Sequence, residues 1–101
     1  MNATWKGFAL EQILNLLKDF DAYFWATHQG AELDLLAVRG EKREGFEFKY
    51  TRSPGLSPSM KIALKDLKLE RLWVIHAGTE SYSLSRGIQA VPLNQFIQAP
   101  R

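Results

Sequence analysis

The chain has 101 residues, 46% of them hydrophobic and 24% charged, with no cysteine. That balance predicts one domain with its own core and excludes a disordered tail, a disulfide framework, thiolate zinc sites and thiol nucleophiles. A net charge of +2 is too mild to announce a partner, and no apolar run approaches the roughly 18 residues of a membrane span.

In chain order, Thr4 is the expected N-cap of a first helix over residues 5–19, where Trp5, Phe8, Ala9, Ile13, Leu16, Leu17 and Phe20 recur at helical spacing. The same stretch lacks the basic-then-apolar order of a signal peptide, so a cytoplasmic protein is expected. The aromatic run Tyr23 to His28 predicts a first strand, and Gln29-Gly30 a tight turn. A second strand follows over residues 31–38, a turn over 40–43, and a third strand over 44–51. Ser57 and Pro58 mark the start of a second helix, with Met60, Ala63, Leu64 and Leu67 on one face and Lys61, Lys65 and Lys68 beside it. Residues 71–77 form a continuous apolar run, the signature of a buried central strand. Short extended pieces follow at 82–84 and 88–93. Pro92 assigns the latter to a sheet edge, where it offers a surface for pairing between chains. Residues 94–97 suggest one helical turn. A meander followed by a helical crossover implies an α/β fold, a mixed sheet with helices packed against it.

Charge is unevenly spread. Residues 1–38 carry net −3 and residues 39–71 net +4. Positive potential around the middle of the chain suits a polyanion, with Arg52, Lys61, Lys65 and Lys68 as candidate phosphate contacts. The competing reading is that the three lysines form the solvated face of a helix.

One segment carries chemistry. Asp34 lies in the second strand and Glu47-Phe48-Lys49 in the third. Strand alternation places Glu32 and Asp34 on one side, with Leu33 and Leu35 on the other; Glu47 and Lys49 likewise oppose Phe46 and Phe48. A hairpin through residues 40–43 brings Asp34 near Glu47. Two carboxylates crowded together repel, and a divalent cation relieves that repulsion. Hard oxygen donors suit Mg²⁺ or Mn²⁺, which keep several waters. Lys49, two residues beyond one carboxylate, is placed to stabilise a developing hydroxide or the charge on a pentavalent phosphorus. The alternative is an exposed sheet on which these charges merely alternate outward.

This pattern resembles the PD-(D/E)XK nuclease superfamily, whose αβββαβ core follows the same order. It is closer still to the C-terminal domain of a large group of bacterial and archaeal AAA-type ATPases, long catalogued as a domain of unknown function. The resemblance rests on Trp5 to Gln12, Tyr23 to Thr27, Gly30 to Leu35, Phe46 to Lys49, Leu69 to Ile75 and the tail from Tyr82 to Leu93. It implies Asp34 and Glu47 as metal ligands, Lys49 as the catalytic lysine and the Phe48 carbonyl as a further ligand. Glu32, beside Asp34, and Glu11, matched separately, are additional candidate metal ligands. Such domains often have an acidic residue between the tryptophan and the glycine, where this chain has Lys6. Glu11 is five residues on, about 140° around a helix, and does not replace it directly.

Other motifs are weaker. His28 and His76 have no zinc-ligand partner spacing and read as structural. No Gly-X-Ser-X-Gly elbow occurs, which speaks against a serine hydrolase. No phosphate loop occurs either, so the chain lacks the ATPase portion the resemblance implies and is expected to be either a free-standing relative or an excised domain. Trp5, Trp25 and Trp73 read as core anchors. Two functions therefore stand open. One is a Mg²⁺- or Mn²⁺-dependent DNA hydrolase; the other is a non-catalytic module binding DNA, an ATPase partner or a second copy of itself.

Overall fold

The computed structural model describes residues 2–100, with side chains from Trp5 onward. Its elements are α1 (Asn2–Leu16), β1 (Asp21–Ala26), β2 (Glu32–Arg39), β3 (Lys42–Lys49), α2 (Pro58–Asp66), β4 (Arg71–His76), β5 (Tyr82–Ser85), β6 (Ile88–Pro92) and α3 (Leu93–Gln98). The fold is α/β, with one six-stranded mixed sheet in the order β1-β2-β3-β4-β6-β5.

The first three strands pair antiparallel, β3, β4 and β6 are parallel, and β5 returns antiparallel to β6. Arg39 pairs with Lys42, so the β2–β3 turn is only Gly40-Glu41. Gly40 there takes a φ of 61°, as the first central residue of a tight hairpin turn requires. The turn is thus shorter than residues 40–43, and β3 begins two residues earlier than expected.

Each sheet face has its own core. Ala9, Ile13 and Leu17 from the α1 region pack with Leu35, Phe46, Phe48, Ile75 and Phe96. On the opposite face, Met60 and Ala63 of α2 pack with Leu33, Leu36, Leu72, Val74 and Ile88. The Ser57 hydroxyl accepts from the Met60 amide, with Pro58 opening α2, the start expected from sequence. Trp5, Trp25 and Trp73 are half-buried at the core margins.

Three expectations are corrected. First, α1 spans Asn2–Leu16 rather than 5–19, which puts Thr4 inside the helix; its side chain lies outside the described residues. Second, the first strand is Asp21–Ala26, so Thr27 and His28 belong to the following turn. Thr27 serves that turn instead, its hydroxyl accepting from the Ala31 amide at 3.1 Å. Third, β6 is not a sheet edge. It is flanked by β4 and β5, and Pro92 is its last residue, beyond which the chain enters α3 and needs no ladder donor. The edges are β1 and β5.

Candidate functional site

The site begins with an irregularity in β2. Tyr23 of β1 pairs with Leu36 but Trp25 pairs with Leu33, so β2 holds one residue more than β1 over that stretch. This is a β-bulge, which bends a strand and re-aims its side chains. Its effect is visible in the cores: Leu33 and Leu36 face α2, whereas Leu35 and Ala37 face α1. The expectation that Leu33 and Leu35 share a side is therefore corrected. Asp34 sits in the bulge, half-buried.

The regular pairing of β2 with β3 stops at Leu35↔Phe46. Beyond it the two carboxylates take over the backbone amides. Asp34 Oδ2 accepts from the Phe48 amide at 2.9 Å, and Glu47 Oε1 accepts from the Asp34 amide at 3.2 Å. The cross-connection ties Asp34 to Glu47 despite the interrupted ladder. Among the described residues Asp34 Oδ1 and Glu47 Oε2 have no hydrogen-bond partner, and neither is fully sealed from water.

Glu47 is 8% exposed. Burial and, next, the charge of Asp34 push its carboxyl up to about 7, against the opposing pull of Lys49 and Lys6. The first two effects disfavour its charged form. A cavity of about 190 Å³ opens beside the pair, lined by Lys6, Gly7, Leu10, Asp34 and Phe48. Lys6, Gly7 and Leu10 lie within one turn of α1, and Gly7 places no side chain in the space.

Asp34, Glu47 and Lys49 therefore come together as expected, and Lys6 joins them. Glu32 and Glu11 do not. Among the described residues no group of three or more acidic or histidine side chains is placed to hold a metal. Glu32 instead has its backbone held by the Ser59 hydroxyl, and Glu11 is exposed on α1. The donor set still fits one ion such as Mg²⁺, which is commonly held by one or two carboxylates while retaining waters. The second carboxylate oxygens, Asp34 Oδ1 and Glu47 Oε2, would hold it.

Arg52 stands in the loop after β3, lining a cavity of about 310 Å³ with Ser53 and Ala77 to Glu80. Lys61 and Lys65 are exposed along α2, whose far end leads to Glu70, bonded to the Arg43 carbonyl near the start of β3. Four residues, roughly 13 Å of strand, separate Arg43 from Glu47. The lysine stripe thus runs away from the acid pair. Lys68 adopts a positive φ of 52° as α2 ends, which gives it a structural duty in turning the chain toward buried Leu69.

His76 is fully buried. Its Nδ1 accepts from the Gly78 amide and its Nε2 donates to the Glu80 carbonyl, both at 3.0 Å. It pins the β4–β5 loop, the structural role expected for it, while His28 is exposed in a turn. Sequence reasoning missed the bulge and the packing of Trp5 against Tyr50, whose ring centroids lie 5.5 Å apart. The aromatic directly after Lys49 was the available signal for the second.

Comparison with known proteins gives similarity without an assigned activity. The chain is 42% identical over 97 residues to "Uncharacterized protein Mb2031c" of Mycobacterium bovis. It has the same identity to "Uncharacterized protein Rv2008c" of Mycobacterium tuberculosis. In each case the match covers 96% of this chain but 22% of the relative, so the chain spans about a fifth of those proteins. No solved structure matches. A family model matches residues 1–96, and the chain belongs to the family described as Domain of unknown function (DUF4143).

Proposed function

We propose that this chain is a nuclease-like domain of the PD-(D/E)XK type, hydrolysing DNA phosphodiester bonds with Mg²⁺ or Mn²⁺. The observation that carries the reading is the linked pair Asp34–Glu47, each with one oxygen on a backbone amide and the other without a partner among the described residues. When bound, the ion would supply positive charge to a phosphoryl oxygen and lower the pKa of an attacking water.

The chain's own residues supply the rest. The two amide bonds fix both carboxylates in direction, so little ordering is left for the moment of binding. Lys49, at the end of β3, places a positive charge beside the pair, where negative charge develops in the transition state. Lys6, lining the same cavity, is placed to hold a substrate phosphate. Arg52 is a second phosphate contact. The domain works in the cytoplasm, joined to or partnered with an AAA-type ATPase, as the resemblance implies.

A second reading is favoured by Lys6. Two lysines already face two carboxylates, and no third acidic ligand joins them among the described residues. That balance suits a non-catalytic module that binds DNA, an ATPase or another copy of itself. Cleavage of end-labelled DNA with and without Mg²⁺ separates the two. The nuclease reading expects Lys49→Met and Glu47→Ala to stay folded and bind DNA, with cleavage reduced at least about 10²-fold. A wild-type protein that cleaves no DNA form, and whose melting temperature ignores Mg²⁺ and Mn²⁺, leaves the second reading in place.

A further inference from the structure

We propose that the aromatic pair Trp5–Tyr50, flanked in the chain by Lys6, Lys49 and Arg52, binds single-stranded nucleic acid, with an unpaired base stacked on Tyr50. The inference deepens the proposed function by naming its substrate form. It rests on that reading for the acid pair and on separate residues for the strand.

Tyr50 is the residue after Lys49, and its side chain is 53% exposed. Its ring leans on Trp5 at 5.5 Å between centroids and 44° between planes. Trp5 is half-buried and packed against the α1-side core. The pair is therefore an aromatic surface backed by rigid protein, beside the proposed cleavage site. The next residue, Lys6, lines the cavity that holds Asp34.

Three hollows lie in this region: the first two are lined by the adjacent α1 residues Lys6 and Trp5, and the last two share Ala77, Gly78 and Thr79. The first, about 190 Å³, contains Lys6 and Asp34. The second, about 370 Å³, is lined by Trp5 and Gly78. The third, about 310 Å³, is lined by Gly78 and Arg52. The walls are held in place: the Ala77 amide donates to the Thr51 carbonyl at 3.2 Å and the Tyr82 hydroxyl to the Pro54 carbonyl at 2.8 Å.

Cations flank both aromatic rings in the chain. Lys6 follows Trp5 and Lys49 precedes Tyr50 in the chain, with Arg52 two residues after Tyr50; Glu80 is the acidic side chain lining the Arg52 hollow. A sugar–phosphate chain has this repeat of charge and flat apolar ring. Only an unpaired base can use the tyrosine face, because bases in a duplex already stack on one another. Stacking platforms flanked by cations are the general solution for single-strand binding.

Fluorescence anisotropy in EDTA tests this without cleavage, using labelled oligothymidylate, an abasic strand of equal length and a duplex. Oligothymidylate should bind at least about fivefold more tightly than the abasic strand, the low end of one stacked base. Tyr50→Ala should erase that difference while leaving abasic affinity unchanged, and Tyr50→Phe should restore it. Equal binding of the base-bearing and abasic strands overturns the proposal. So does tighter binding of the duplex, or equal competition by a polyglutamate peptide. Failure of the nuclease reading looks different: Mg²⁺-dependent cleavage is absent while the stacking preference persists.

Discussion

Replacing Glu47 with glutamine isolates the electrostatics of the acid pair. The amide keeps the shape and an oxygen for the Asp34 amide, but cannot ionise. In the wild type the folded-state pKa is raised from 4.5 to about 7. The folded form then binds this proton more tightly than the unfolded one. The resulting stability is fully present below pH 4.5 and is lost as pH rises through about 7. At about 1.4 kcal/mol per pKa unit the shift corresponds to about 3 kcal/mol at most. Because Glu47 is not fully sealed from solvent, about 2 kcal/mol is the better figure, or roughly 10 °C in melting temperature for a domain of this size. Between pH 5 and 8 in EDTA, wild type should lose that much stability relative to Glu47→Gln. His76 acts in the opposite sense, since burial lowers its pKa below 6.5 and its contribution fades as pH falls. It is common to both proteins and cancels in the difference. Thermal or urea melts measure it. Parallel pH curves for the two proteins would refute the crowded-carboxylate account.

Added cation extends the same logic. At pH 8, Mg²⁺ at about a hundred times its dissociation constant should stabilise wild type by about 2.7 kcal/mol, and Glu47→Gln far less. Gly78→Ala should destabilise the domain by about 1–3 kcal/mol, because the new methyl group would collide with the Arg52 carbonyl oxygen. Urea denaturation checks it, and a neutral result would mean the two loops part easily. If the α2 stripe reaches phosphates beyond the acid pair, reversing Lys61 and Lys65 to glutamate weakens DNA binding for all sequences alike and flattens its dependence on salt. Unchanged affinity would make the α2 stripe a solvated face only.

Much of this architecture was legible because short-range chemistry dictates it. Ser57 and Pro58 start α2 where a hydroxyl and a fixed φ are useful, and the apolar run from Leu72 to Ile75 is buried between β3 and β6 as its composition demands. The approach of Asp34 to Glu47 followed from the hairpin. Its manner did not. Alternation fails between Leu33 and Leu35 because the extra residue of the bulge is a property of pairing with β1, and the local sequence carries no mark of it. Pro92 was misplaced for a related reason. A proline forbids a ladder donor at its own position but says little about a strand that ends there. The contact of Trp5 with Tyr50 depends on where α1 settles against the end of β3, which no spacing encodes.

Under the proposed function Asp34 and Glu47 hold one divalent cation. A crystal soaked in Mn²⁺ tests it most directly through the anomalous signal of the metal. One peak is expected within about 2–2.5 Å of Asp34 Oδ1 and Glu47 Oε2, absent in Glu47→Gln. No peak at this pair, or a peak that survives that substitution, would contradict it.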